Sequence, residues 1–127
     1  MSMNAFLAIG AGAALGAWLR WGLGLWLNSL STALPLGTLA ANLLGGYLVG
    51  VAVTVFHINV DLSPELRLAL ITGFLGGLTT FSTFSAEVVA QIQRADYLLA
   101  AGTASLHLFG SLLLTVLGIL TVQRLAQ

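Results

Sequence analysis

The sequence predicts an all-α integral membrane protein with four transmembrane helices, the third of them broken near its middle. Of its 127 residues, 58% are hydrophobic and only 6% are charged, and the mean hydropathy is +1.02. This composition is far from that of soluble domains. Four apolar stretches also reach the roughly 20 residues that a helix needs to cross a bilayer. The chain is therefore expected to fold in lipid.

The four spans follow one another with short connections between them. A turn-like stretch, 28–35, separates the first two. Ser63, Pro64 and Glu65 supply an N-cap, a proline at the first helical position and an acidic residue in the first turn, and so begin the third. We expect one transmembrane domain, 1–127, with spans at about 4–27, 37–56, 65–93 and 97–122.

The composition excludes several classes of function. The only Lys or Arg residues are four arginines, so there is no basic surface for nucleic acid. Cysteine is absent, which removes disulfides and thiol chemistry. The connections are too short for an extramembrane domain, and we expect no enzyme. The first apolar run lacks the basic leader of a cleavable signal peptide and is expected to remain as a span.

The arginines give no clear instruction about orientation in the membrane. An excess of Lys and Arg normally marks the cytoplasmic side. With four spans, Arg67 and Arg124 fall on the side of both termini, whereas Arg94 and Arg20 fall nearer the opposite side. This balance suggests insertion in both orientations and pairing with an inverted copy. The alternative is a single orientation set by partners or by the N-terminal amine.

Glycines recur at the four-residue spacing that lets membrane helices approach closely. The pairs are Gly12 and Gly16, Gly46 and Gly50, and Gly73 and Gly77. Helix packing is a sufficient interpretation of most of them.

The third span is unusually rich in glycines and hydroxyl groups. Residues 73–87 read GFLGGLTTFSTFSAE. Gly76, Gly77 and the adjoining threonines can loosen the hydrogen-bond ladder of the helix. Backbone groups freed at membrane depth are tolerated only where protein or a wet cavity satisfies them. Freed carbonyls are therefore candidate ligands for a cation.

Two phenylalanines in this run point to an anion. Phe81 and Phe84 share one face of a continuing helix, and Ser82 and Ser85 share the next. The edge of an aromatic ring carries the positive part of its quadrupole. An anion can lie against such edges while hydroxyls replace part of its hydration shell, and such weak binding permits release. The alternative is that the rings face the core or lipid and that the hydroxyls bond to their own helix.

Other polar side chains in the spans each allow two interpretations. The Asn42 amide can offer donors to an anion or can hold helices together. His107 can be a packing residue or a proton relay. Glu87 can accept hydrogen bonds or titrate, and Arg20 can snorkel or lend positive potential to a vestibule. A polar stripe on the fourth span can line a pathway or pack a helix, and it comprises Thr103, His107, Ser111 and Thr115.

The run 76–87 closely resembles the signature of the CrcB/Fluc fluoride channels. The segments 16–21, 37–45 and 110–111 are similar to that family's motifs on the first, second and fourth helices. The resemblance implies an antiparallel, dual-topology homodimer in the bacterial inner membrane. It also implies two pores per dimer that allow passive, fluoride-selective export.

The same resemblance implies roles for individual residues. Phe81 and Phe84 would be the pore phenylalanines, with Asn42 as their donor-bearing neighbour. Gly76 and Thr79 would offer backbone carbonyls to a structural sodium ion on the dimer axis, where two copies complete four oxygen ligands. The rest of the ion pathway would comprise Ser82, Thr83, Glu87, Ser111 and Arg20. No organic cofactor is implied.

Two other functions stay open on the sequence alone. A proton-coupled exporter of small molecules or fluoride, similar to the small multidrug transporters, would also be a short four-helix dimer. Its essential acid would lie on the first helix, where this chain has none. A non-transporting assembly subunit would need only the glycine packing motifs.

Overall fold

The computed structural model describes residues 2–127 as a bundle of helices. Four of them are long and apolar enough to cross a membrane, which confirms the predicted all-α membrane architecture. They span Met3–Leu27, Leu36–Ile58, Pro64–Gln93 and Tyr97–Leu125, and are called the first to fourth helices below. A short 3₁₀ turn, Asn28–Leu30, follows the first helix.

Serine side chains begin two of the helices. The Ser2 hydroxyl accepts a hydrogen bond from the Ala5 N–H at 3.0 Å, and the Ser63 hydroxyl accepts one from the Leu66 N–H at 3.1 Å. Pro64 follows at the first helical position, where its missing N–H leaves no bond unmade. The predicted N-cap at Ser63 is therefore confirmed.

The third helix is broken, as predicted, and among the glycines and adjoining threonines that indicated the weak point, the threonines form the break. Thr79 and Thr80 adopt extended backbone conformations (φ −88°, ψ 152° and φ −148°, ψ 117°), whereas Gly76 and Gly77 stay helical. The break therefore lies three residues later than the glycines because, as shown below, Thr80 finds hydrogen-bond partners on another helix. The segments in order are α-helical Pro64–Arg67, π-helical Leu68–Leu75, α-helical Gly76–Leu78 and α-helical Phe81–Gln93.

Glycines lie where the helices cross. A Cβ at Gly16 would overlap the backbone oxygen of Phe74, and one at Gly50 would overlap that of Thr115. The first helix thus packs against the π-helical segment, and the second against the fourth, at backbone contact distance. The same close approach occurs at Gly12, Gly73, Gly77 and Gly118, and Gly46 makes a slightly looser contact with the Ser111 oxygen.

The core of the subunit surrounds the break. Ala41, Leu75 and Leu78 are buried together, with Phe74 and Leu23 packed against them. This cluster holds the first half of the third helix between the first and second helices. The two extended threonines follow directly after it, so the break starts from a fixed position.

Candidate functional site

Asn42 replaces the helical hydrogen bonds that the break removes. Its Nδ2 donates to the Thr80 carbonyl at 3.0 Å, and the Thr80 N–H donates to its Oδ1 at 2.8 Å. Both polar groups of the Thr80 backbone are therefore satisfied by one side chain from the second helix. Since unpaired backbone groups are costly at membrane depth, this amide makes the break possible.

A second contact links the Asn42 amide to the fourth helix and to the phenylalanines. Its Nδ2 lies 3.0 Å from Nδ1 of His107. The His107 ring packs on Phe84, with ring centroids 4.6 Å apart and planes tilted by 37°. Phe84 in turn meets Phe81 edge to face, with centroids 5.5 Å apart. One chain of contacts thus runs from the break to both rings.

The Thr80 hydroxyl caps the second half of the third helix. It accepts a hydrogen bond from the Thr83 N–H at 3.1 Å and donates to the Thr83 hydroxyl at 3.1 Å. The Ser82 hydroxyl lies 3.3 Å from it. Ser82 and Thr83, expected on the ion pathway, therefore belong to a hydroxyl cluster at this helix start.

Two backbone carbonyls lose their helical donors at the break. In a continuous helix the Thr80 N–H would bond to the Gly76 carbonyl, and the Thr83 N–H to the Thr79 carbonyl. The first of these donors bonds instead to Asn42, and the second to the Thr80 hydroxyl. The Gly76 and Thr79 oxygens are thereby released from the ladder. They are oxygen ligands of the kind that hard cations prefer.

Arg20 reaches the break from the first helix. Its Nε donates to the Gly77 carbonyl at 3.1 Å, and the side chain is half-buried. The guanidinium is thus tied beside the broken helix, where it brings a positive charge close to the freed backbone.

Glu87 lies at one end of the subunit with a partner that the sequence analysis did not single out. The Thr38 hydroxyl, which is buried, donates to Glu87 Oε2 at 2.7 Å. Thr38 precedes Asn42 by one helical turn and so shares its helix face. This spacing could have identified Thr38 from the sequence as a candidate site residue. Glu87 also borders a second cavity of about 280 Å³, lined further by Asn28, Ser31, Thr32, Ala33, Pro35, Ala90, Gln91 and Arg94.

A larger cavity of about 480 Å³ forms a groove on the subunit surface beside the break. Phe81 stands on its open side and is 79% exposed. Six of the expected site residues line it, namely Asn42, Gly76, Thr79, Phe81, Phe84 and Ser111. The others, Ser82, Thr83, Glu87 and Arg20, lie outside it. The groove is therefore lined by both phenylalanines and by the two residues whose carbonyls the break frees.

The polar stripe of the fourth helix faces the second helix and the groove together. The single proton of the Thr115 hydroxyl is shared between the Gly46 and Ser111 carbonyls, each 2.9 Å from its oxygen. Thr103 and His107 are buried, while Ser111 and Thr115 line the groove with His107. The stripe thus packs against the second helix and also borders the groove.

Several buried polar atoms of residues 2–127 have no hydrogen-bond partner. They are Glu87 Oε1, Gln91 Oε1, Thr103 Oγ1 and His107 Nε2. Gln91 was not singled out from the sequence, although it follows Glu87 by one helical turn. Unpaired polar atoms in a native core call for a functional or solvent partner.

Known proteins share these motifs over nearly the whole chain. Residues 7–119 match the family model described as "CrcB-like protein, Camphor Resistance (CrcB)". The chain belongs to the CrcB family. A relative from Nitrosospira multiformis, named fluoride-specific ion channel FluC, is 61% identical over 127 residues, which are 100% of this chain and 99% of the relative.

Further relatives of the same name show the same agreement. The protein from Dechloromonas aromatica is 66% identical over 117 residues, 92% of this CrcB chain and 87% of its own. The protein from Albidiferax ferrireducens is 65% identical over 119 residues, 94% of this chain and 91% of its own. The resemblance to the CrcB family seen in the run 76–87 is therefore confirmed.

Proposed function

We propose that this CrcB-family chain is a fluoride-specific ion channel of the bacterial inner membrane, and not an enzyme. One observation carries the proposal: relatives that are 61–66% identical over at least 92% of the chain are named fluoride-specific ion channels. At such identity over all four membrane helices, the same groove and break are expected in those relatives. The flow is passive and exports fluoride down its own gradient.

The proposed pathway runs along the groove past the two rings. Phe81 and Phe84 both line the groove, and the ring edges that are not engaged in their mutual contact would offer positive charge to an anion. The Ser111 hydroxyl borders the same space. Asn42 belongs to the pathway as the residue that shapes it, because its Nδ2 already contacts Thr80 and His107.

The remaining residues of the proposed pathway lie outside the groove. Glu87, which accepts a hydrogen bond from Thr38, borders the second cavity, and Arg20 supplies a positive charge beside the break. The hydroxyls of Ser82 and Thr83 extend from the start of the second half-helix. None of these groups presents an isolated cation on the groove that would hold fluoride too tightly for release.

The proposed assembly is an antiparallel homodimer with two pores. The groove is open, and Phe81 and Gly76 are exposed in the isolated subunit, so a second copy would close the pathway. The balance of arginines across the membrane supports insertion in both orientations. Since the chain has no cysteine, a Val60→Cys variant tests this: about half of the molecules should react with an impermeant maleimide from either side. Labelling of all molecules from one side only would exclude dual topology.

A sodium ion at the dimer axis would complete the proposed architecture. The Gly76 and Thr79 carbonyls, freed from their helical donors, fit the oxygen chemistry of such a site. Two copies would supply four oxygens, and the ion would neutralise the broken ends of both third helices. In exchange experiments, replacing sodium by N-methyl-D-glucamine should lower the thermal stability of the purified dimer. Equal stability without sodium would contradict this site.

Efflux from liposomes tests the proposed function against its rivals. Purified protein should release fluoride much faster than chloride, at the same rate with and without a proton gradient, because a pore needs no coupling. Fluoride release that depends strictly on a proton gradient would favour the exporter. Release of neither ion would favour an assembly subunit.

A further inference from the structure

The orientation of the Asn42 amide is fixed by its partners. The Thr80 N–H can only donate and the Thr80 carbonyl can only accept. The amide oxygen must therefore face the Thr80 N–H, at 2.8 Å, and the amide nitrogen must face the Thr80 carbonyl, at 3.0 Å. Exchange of the amide oxygen and nitrogen, the usual ambiguity of asparagine, would break both bonds.

This orientation fixes the proton on His107. The Asn42 nitrogen has only hydrogens to offer, and it lies 3.0 Å from His107 Nδ1. Nδ1 must therefore be the acceptor, so the imidazole is neutral and carries its proton on Nε2. Nε2 is buried and has no partner among residues 2–127.

We infer that His107 is a positioning residue of the proposed fluoride pathway: its Nδ1 holds the Asn42 amide on the Thr80 backbone, next to the groove residue Phe84. The inference rests on the proposed function and adds a role that the motifs do not give. Three observations carry it. The ring is only 4% exposed, it accepts from the amide that bridges the break, and it stacks on a groove phenylalanine at 4.6 Å.

Substitutions at position 107 can distinguish the contribution of the Nδ1 acceptor from that of the rest of the ring. Asparagine at position 107 places its amide oxygen at the same bond count from Cα as Nδ1, whereas glutamine places its amide at that of Nε2. Fluoride efflux should stay within about threefold of wild type in His107→Asn, which keeps the acceptor. It should fall about tenfold in His107→Gln and His107→Leu, which remove it. Ser105→Ala, on an exposed part of the same helix, is the matched control and should match wild type.

The efflux of these variants distinguishes a hydrogen-bonding role of His107 from a space-filling one. Wild-type efflux in His107→Leu or His107→Gln, or an equal loss in His107→Asn and His107→Leu, would overturn the inference. A merely space-filling role predicts that the asparagine variant is among the poorest, because it is the smallest. Size-exclusion chromatography confirms that each variant keeps the oligomeric state of wild type.

Nitrogen NMR tests the same bond without any transport. His57→Gln leaves His107 as the single histidine, and ¹⁵N-histidine labelling should then show an unprotonated Nδ1 and a protonated Nε2. Adding Asn42→Ala should shift the Nδ1 resonance strongly. A proton on Nδ1, or no response to Asn42→Ala, would overturn the inference. If the protein proved not to carry fluoride, the NMR result would still decide whether His107 holds the amide.

Discussion

Replacing Asn42 by leucine should destabilise the protein by about 3 kcal/mol. Leucine has nearly the same size but makes none of the three contacts to the Thr80 N–H, the Thr80 carbonyl and His107 Nδ1. Each lost hydrogen bond contributes about 1 kcal/mol on average. The Thr80 N–H and carbonyl, left without partners at membrane depth, can only add to this loss.

The measurement is the free energy of unfolding of the purified protein in mixed micelles, titrated with denaturing detergent. Asn59→Leu is the matched control, because Asn59 lies exposed at the end of the same helix and bonds only to the Val55 carbonyl of its own turn. It should change stability by less than about 0.5 kcal/mol. Equal stability of Asn42→Leu and Asn59→Leu would refute the conclusion that the amide maintains the break.

Two further predictions concern packing and the hydrogen bond between Thr38 and Glu87. Gly16→Ala should destabilise the protein by about 1–3 kcal/mol, because its Cβ would overlap the backbone oxygen of Phe74. Gly22→Ala is the control and should leave the stability unchanged, because a Cβ there meets open space. Equal unfolding curves for the two variants would contradict the prediction. Thr38→Val should lower fluoride efflux and cost about 1 kcal/mol in stability by removing the 2.7 Å bond to Glu87, whereas Thr38→Ser should preserve both. Unchanged efflux in Thr38→Val would show that the hydrogen bond between Thr38 and Glu87 is not needed for conduction.

Much of the fold follows from local sequence. Hydropathy and length identify the four spans, because a helix that satisfies its own backbone needs only an apolar surface to reside in lipid. The Ser63 cap can also be predicted, since its partner is three residues away. Glycine spacing indicates which faces pack closely, although the identity of each opposing helix comes only from the structure.

The site depends on contacts that local sequence does not contain. The run 73–87 indicates a weakened third helix, but the break falls at Thr79 and Thr80 because Asn42, 38 residues away from Thr80, satisfies the backbone there. The role of His107 depends in turn on how that amide is oriented. Such bonds between distant residues leave no periodic pattern in a single sequence. The resemblance to a family indicated which residues form the site, but not the contacts that hold them there.

The central claim is that fluoride passes along the edges of two rings, and one measurement tests it most directly. The double variant Phe81→Ile/Phe84→Ile keeps much of the bulk of both side chains and removes their positive edges, so fluoride efflux from liposomes should fall by at least about tenfold while the protein stays folded. Phe6→Ile/Phe109→Ile, which changes two exposed rings outside the groove, should conduct like wild type. Undiminished fluoride efflux through the first variant would contradict the account.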